Sequence, residues 1–339
     1  MNTLGRIVNK FFPFMVPLSL LLGMLIGNFF VFEHWFGSLA FAFITFMGGL
    51  KMSFSAFPGV IKNPKPVALS IFILRVLMPL WAVLLTGIFF QNDVYTRTGL
   101  LLFSVLPIGI NSVLWTMMAK GNMPLSLTVL LIDTFLAPFL IPFSILILTG
   151  AHIEMDAIGM MINLLLIIGL PTFAGMLVNQ LTKGQTAKKY ESKIAVLSKV
   201  GIFFVMLVNG TNVVESFPPV DLGLIVIIGA MVVLSMSGYT MAWFLAKFFK
   251  LSSGDLKATV FVGIRNINMG ILIAITHFPT PVSIPIISGV LFQQMVCAFF
   301  ANKLLKHFNK EDRAAEKPTE EVQHENIKNE RGNRLSKST

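Results

Sequence analysis

Apolar runs of about twenty residues, separated by short polar breaks, make up most of this chain. They fall at 12–31, 36–57, 66–90, 98–119, 124–149, 157–178, 194–214, 222–247, 256–278 and 282–305. A hydrocarbon core of roughly 30 Å needs about twenty residues of helix, so each run predicts one transmembrane α-helix. The expected class is an all-α polytopic membrane protein of ten spans, with its transmembrane domain over 1–308. Past Phe308 the pattern ends. The tail 309–339 alternates charge, lacks aromatic residues and contains Pro and Gly. It cannot bury enough apolar surface to fold and is expected to be a disordered cytoplasmic segment.

Two runs interrupt their own pattern. The ninth carries Gly263-Ile-Arg265-Asn266-Ile-Asn268 at its middle, and the fourth carries Pro107, Gly109, Asn111 and Ser112. Proline removes a helical hydrogen bond, and glycine and asparagine are poor helix formers, so both spans are expected to break. A proline-kinked helix packing its small residues on a neighbour is the plainer alternative for the fourth. Symmetry argues against it. Gly109-Ile-Asn111 echoes Gly263-Ile-Arg-Asn266, an offset of 263 − 109 = 154. Gly23-Met-Leu-Ile returns as Gly175-Met-Leu-Val, an offset of 175 − 23 = 152. Pro124-Leu-Ser126 returns as Pro281-Val-Ser283, an offset of 281 − 124 = 157. Three echoes in one order predict two five-helix repeats, about 12–149 and 157–305. An odd number of spans inverts the second repeat, and inverted repeats with interrupted helices mark secondary transporters.

Composition supports this class: 55% of residues are hydrophobic and 12% charged, against roughly 25% charged in soluble domains. The net charge of +10 would suggest nucleic acid in a soluble protein. Here alternate connections divide the charges. One side holds Arg6, Lys10, Lys51, Lys62, Lys65, Lys120, Lys183, Lys188, Lys189, Lys193, Lys199, Lys247, Lys250, Lys257 and the basic tail; the other holds only Arg97 among acidic residues. The positive-inside rule then places both termini in the cytoplasm of a cell-membrane protein, with no nucleic-acid partner. The single cysteine, Cys297, excludes a disulfide framework. No acid–base or metal-ligand spacing appears around the five histidines, so neither an enzyme nor a metal cofactor is expected. Oligomeric state is not legible.

Three ionisable residues lie deep in spans: Arg75, Asp133 and Arg265. Charges there are retained for a partner or a function. Arg265 is the natural partner for Asp133, either as a structural lock or in transport. Arg75 is open to snorkelling, to facing the same cavity or to pairing with Asp133 instead. Two arginines against one aspartate leave a positive cavity, which favours a small organic anion bound through its carboxylate. The candidate substrate-binding set is Arg265, Asn266, Asn268, Asn111, Ser112, Gly109 and Gly263, with Arg75 as a further cavity charge. Asn209, Thr211 and Asn212 line a cavity or cap a helix.

These residues resemble the bile acid:sodium symporter family of ten-helix transporters, over roughly residues 10–306. The resemblance rests on Pro107-Ile-Gly109-Ile-Asn-Ser112-Val113, then Lys120-Gly121-Asn122 and Leu125-Ser126, on the run KNPKPVALSIFILRVLMP, and on Gly263-x-x-Asn266. It implies a panel domain of spans one, two, six and seven, a core domain with crossed broken helices four and nine, and alternating access. The family's sodium ligands are mostly replaced here, by Leu74, Val113, Leu130, Phe261 and Arg265; Ser112 and Ser126 remain. Sodium needs several oxygen ligands and is repelled by a guanidinium. The expectation is therefore no sodium at the family sites, with Arg265 supplying the positive charge, and Asp133 with Ser126 as the ion-coupling candidates, a proton included. A sodium-dependent symporter with relocated ligands is the alternative. A channel and an arsenite exporter are more distant ones.

Overall fold

The computed structural model describes residues 3–53, 64–150, 153, 155–214, 217–219, 221–290, 292–293 and 295–302. Among these every regular element is helical, and the only strand-like contact is one antiparallel bridge between Ile108 and Arg265. The helices are α1 Thr3–Gly27, α2 His34–Gly49, α3 Pro64–Phe89, α4 Val94–Val105, α5 Asn111–Met118, α6 Met123–Thr149 and α7 Ala157–Leu181. They continue as α8 Gln185–Lys189, α9 Glu191–Val213, α10 Leu222–Phe248, α11 Ser253–Phe261 and α12 Ile267–His277, with α13 opening at Thr280. Met1–Val296 form one compact unit; of the second, Cys297–Thr339, residues 297–302 are described, as helix.

Among the described residues six helices, including α3, α6, α7, α9 and α10, have 23 to 27 residues and are apolar enough to cross a membrane. At 1.5 Å per residue they reach about 35–40 Å, more than a hydrocarbon core needs. Their outer faces confirm the solvent they are made for. Leu80, Leu84 and Ile88 on α3, and Phe139, Phe143 and Ile147 on α6, form exposed stripes at helical spacing. In water such stripes would aggregate; against lipid they are at home.

Local sequence explains where these helices begin. Asp93, Asn122, Asp156, Asp221, Ser252 and Asn266 each accept a hydrogen bond from a first-turn amide of the helix that follows. Proline explains where two of them widen. A π-turn spans Ile73–Leu77 just before Pro79, and another spans Leu165–Gly169 just before Pro171. Proline donates no hydrogen bond, so the carbonyl four residues earlier is released. At Pro171 that carbonyl is Ile167 O, which Thr45 Oγ1 of α2 takes at 2.9 Å.

Glycines permit the closest helix contacts. Gly23 of α1 meets the Leu207–Gly210 backbone of α9, and Gly175 of α7 meets the Phe46 carbonyl of α2; a Cβ at either position would collide. The helices α1, α2, α7 and α9 pack side by side in this way, while α3, α4, α5, α6, α10, α11 and α12 gather around the breaks in the fourth and ninth spans.

The sequence-derived boundaries need four corrections. The first helix starts at Thr3 rather than 12, because the polar Asn2–Lys10 stretch is helical from residue 3. The second ends at Gly49, and the expected continuation over 54–57 lies outside the described residues. Lys257, assigned to a solvated connection, is buried in α11. The breaks make four shorter helices of the fourth and ninth spans. The tail 309–339 and Lys62 lie outside the described residues.

Candidate functional site

The fourth span leaves helical geometry between Val105 and Asn111, and the ninth between Phe261 and Ile267. Their exposed backbone groups satisfy each other. Gly109 N donates to Ile264 O at 2.7 Å, and Asn266 N donates to Pro107 O at 2.8 Å. Gly109 allows this approach because a side chain there would press on the Arg265 carbonyl, and Gly263 is equally tight against Gly238 and Tyr239 of α10. Two interruptions thus close on one another where a lone one would leave polar backbone in hydrocarbon.

Arg75, Asp133 and Arg265 converge on the break in the fourth span. Arg75 Nε donates to Asp133 Oδ1 at 2.7 Å, its Nη2 to the Asp133 carbonyl at 3.2 Å and its Nη1 to Val105 O at 2.8 Å. Asp133 Oδ2 accepts from Ile108 N at 2.7 Å. Arg265 Nη1 donates to Leu106 O at 2.8 Å. Two guanidinium groups therefore sit on the last carbonyls of α4, where the helix dipole is negative, while the carboxylate takes a freed amide. The expected Asp133–Arg265 pair is corrected: the partner of Asp133 is Arg75, which the π-turn before Pro79 carries. Spacing along the chain could not distinguish the two arginines.

That pairing leaves Arg265 with an unused face. The residue is 3% exposed, and neither Nε nor Nη2 has a partner among the described residues. These two N–H groups point the same way from one edge of the planar guanidinium. Arg75 applies the corresponding edge to Asp133, with Nε on the carboxylate and Nη2 on the main-chain carbonyl. A planar fork of two parallel donors fits a carboxylate bidentately.

The remaining candidates divide by role. Asn266 caps α12 through Met269 N at 3.3 Å, so its side chain already has a structural task. Asn111 and Asn268 are half-buried, and Ser112 Oγ is buried without a partner among the described residues. Thr116 Oγ1 donates to Ser112 O at 2.8 Å and lies 3.3 Å from Ser126 Oγ, which pairs two hydroxyls between α5 and α6. Asn212 Nδ2 and Thr211 Oγ1 bind the Phe32 backbone and hold the α1–α2 connection. Asn209 is buried, with no bond to either amide atom among the described residues.

Sequence reasoning missed two groups. Gln293 Nε2 donates to the Arg265 carbonyl at 2.9 Å. A glutamine within the apolar tenth span was the signal for it. Asn122 Nδ2 donates to Asp255 Oδ1 at 2.7 Å, while Asn122 N donates to Gly254 O, so the connection after α5 is tied to the start of α11. Nothing in the local sequence pointed to that contact.

The positions at which the family resemblance places cation ligands mostly carry side chains without oxygen. Leu74, Val113, Leu130 and Phe261 are buried hydrocarbon, and Arg265 brings a positive charge among them. Ser112 and Ser126 keep their hydroxyls there. Among the described residues no group of three His, Cys, Asp or Glu side chains could hold a metal.

Comparison with known proteins gives a family and several relatives. Residues 38–217 match the Sodium Bile acid symporter family. Over 293 residues, 86% of this chain and 96% of the relative, the chain is 35% identical to Uncharacterized protein YbaS of Bacillus subtilis (strain 168). It is 27% identical over 248 residues to Uncharacterized sodium-dependent transporter YocS of the same organism, covering 71% and 74% of the two chains. It is 24% identical over 283 residues to Probable sodium/metabolite cotransporter BASS1, chloroplastic, of Arabidopsis thaliana, covering 82% and 69%.

Proposed function

The chain belongs to the sodium bile acid symporter family, and from that premise we propose that it is a secondary transporter carrying a small organic anion across the cell membrane by alternating access. The observation that carries the substrate class is the free edge of Arg265, buried beside the contact between two interrupted helices. Asp133 is already neutralised by Arg75, so the three charges sum to +1. An unpaired buried charge costs several kcal/mol, and a bound carboxylate removes that cost.

The architecture in this reading is ten spans in two inverted repeats, with α1, α2, α7 and α9 as the panel and both termini cytoplasmic. The glycine contacts support it. Gly23 of the first span packs on the seventh, and Gly175, its counterpart 152 residues on (175 − 23), packs on the second. Exchange of first with sixth and second with seventh turns one contact into the other. Motion of the panel against the remaining helices then exposes the break to each side in turn.

The fixed charge of Arg265 replaces bound sodium in this account. Asp133 enters as the counter-charge of Arg75, because both its oxygens are held. A second reading is sodium coupling through relocated ligands. It draws on the relatives whose names specify sodium and on the hydroxyls of Ser112, Thr116 and Ser126.

A thermal-shift screen of small carboxylates against purified protein, repeated on Arg265→Gln, tests the substrate class. A carboxylate that stabilises the parent and not the variant supports it. Equal stabilisation of both refutes it.

A further inference from the structure

Gln293 brings a buried polar atom without a partner to the main chain of Arg265. Gln293 lies on α13 and is 3% exposed, with buried Val290 and Val296 on either side in sequence. Its Nε2 donates to the Arg265 carbonyl at 2.9 Å. A carbonyl accepts only from the NH₂ end of an amide, so this bond fixes which way the side chain faces. The other end, Oε1, is buried with no donor among the described residues. A buried amide oxygen without a donor is destabilising, and a leucine or methionine at this position would carry no such cost.

Resting on the carboxylate reading of Arg265, we propose that Gln293 is a specificity-determining residue whose Oε1 accepts a hydrogen bond from a hydroxyl of the transported anion. The free edge of Arg265 offers donors only, and Gln293 offers an acceptor only. The ligand complementary to both carries the reverse set: a carboxylate at one point and a hydroxyl at another. Gln293 is bonded through Nε2 to the main chain of residue 265, while the free edge lies at the end of the Arg265 side chain. The two ligand groups therefore sit apart on the molecule. The substrate class narrows from organic anions to hydroxy-carboxylates, and a site built to bond a hydroxyl discriminates strongly against the analogue without it.

Titration of the purified full chain with hexanoate, and with hexanoates hydroxylated at each successive carbon, tests this on the parent, Gln293→Met and Arg265→Gln. The parent is expected to bind one hydroxy isomer about tenfold tighter than hexanoate, a preference of the size a buried unpaired acceptor implies. In Gln293→Met that ratio falls to near unity, whatever happens to absolute affinity. A purely structural role for Gln293 would weaken all the acids alike and leave the ratio unchanged. A parent that binds every isomer like hexanoate, or a preference that survives in Gln293→Met, overturns the role of Gln293 and leaves the carboxylate reading standing. A parent that binds none of these acids, or binds them equally after Arg265→Gln, removes both. The parent ratio alone is decisive should the glutamine variant fail to fold.

Discussion

Arg75 and Asp133 form an ion pair at 2.7 Å in which the side chains are only 8% and 0% exposed. The pair also holds Val105 O and Ile108 N, on either side of Pro107. It therefore works as a clamp on the interrupted fourth span, reached from the third and fifth.

Breaking such a pair from one side strands a buried charge. Asp133→Leu and Arg75→Met are each expected to destabilise the protein by about 3–5 kcal/mol. The double variant Arg75→Met/Asp133→Leu should be less destabilised than the sum of the single changes, because neither charge remains. Thermal unfolding in detergent measures all three. Additive losses would show that the two residues do not act as a unit.

Arg265→Lys keeps the charge and loses the planar fork. It is expected to fold and to retain weak transport, with KM for the carboxylate raised at least about tenfold and kcat less affected, since one point charge replaces two aligned donors. Arg265→Gln should abolish carboxylate binding. A lysine variant with parental KM would show that charge alone serves, and that the fork has no part.

The glycine contacts give a prediction about packing alone. Gly23→Val and Gly175→Val each force a side chain into the backbone of the facing helix. Each should destabilise by about 1–3 kcal/mol or more, as overpacking does. The inverted-repeat reading adds that the two losses are of similar size, because the sites are counterparts. Thermal unfolding of the two variants side by side checks this. A large loss at one site and none at the other would count against the symmetry.

Much of this fold is legible because each signal is local. Capping residues Asp93, Asn122, Asp156 and Asp221 stand directly before apolar runs, and Pro107 with Gly109 marks a break within one. The ninth-span break was legible from Gly263 to Asn268 for the same reason. The pairing of charges was not legible. Asp133 had two candidate arginines in the same apolar depth, and a π-turn three-dimensionally near it decided for Arg75. Gln293 went unread because its partner is a main-chain carbonyl, which no side-chain pattern announces. Asn266, read as a binding group, also caps α12 through its Oδ1, a task the same amide serves equally.

Initial rates of carboxylate uptake into proteoliposomes, with sodium fully replaced by potassium at fixed pH, weigh most directly on the idea that a fixed guanidinium holds the place of bound cations. The account predicts saturable uptake at the same rate in both salts, lost in Arg265→Gln. Uptake that requires sodium and rises with its gradient would contradict it.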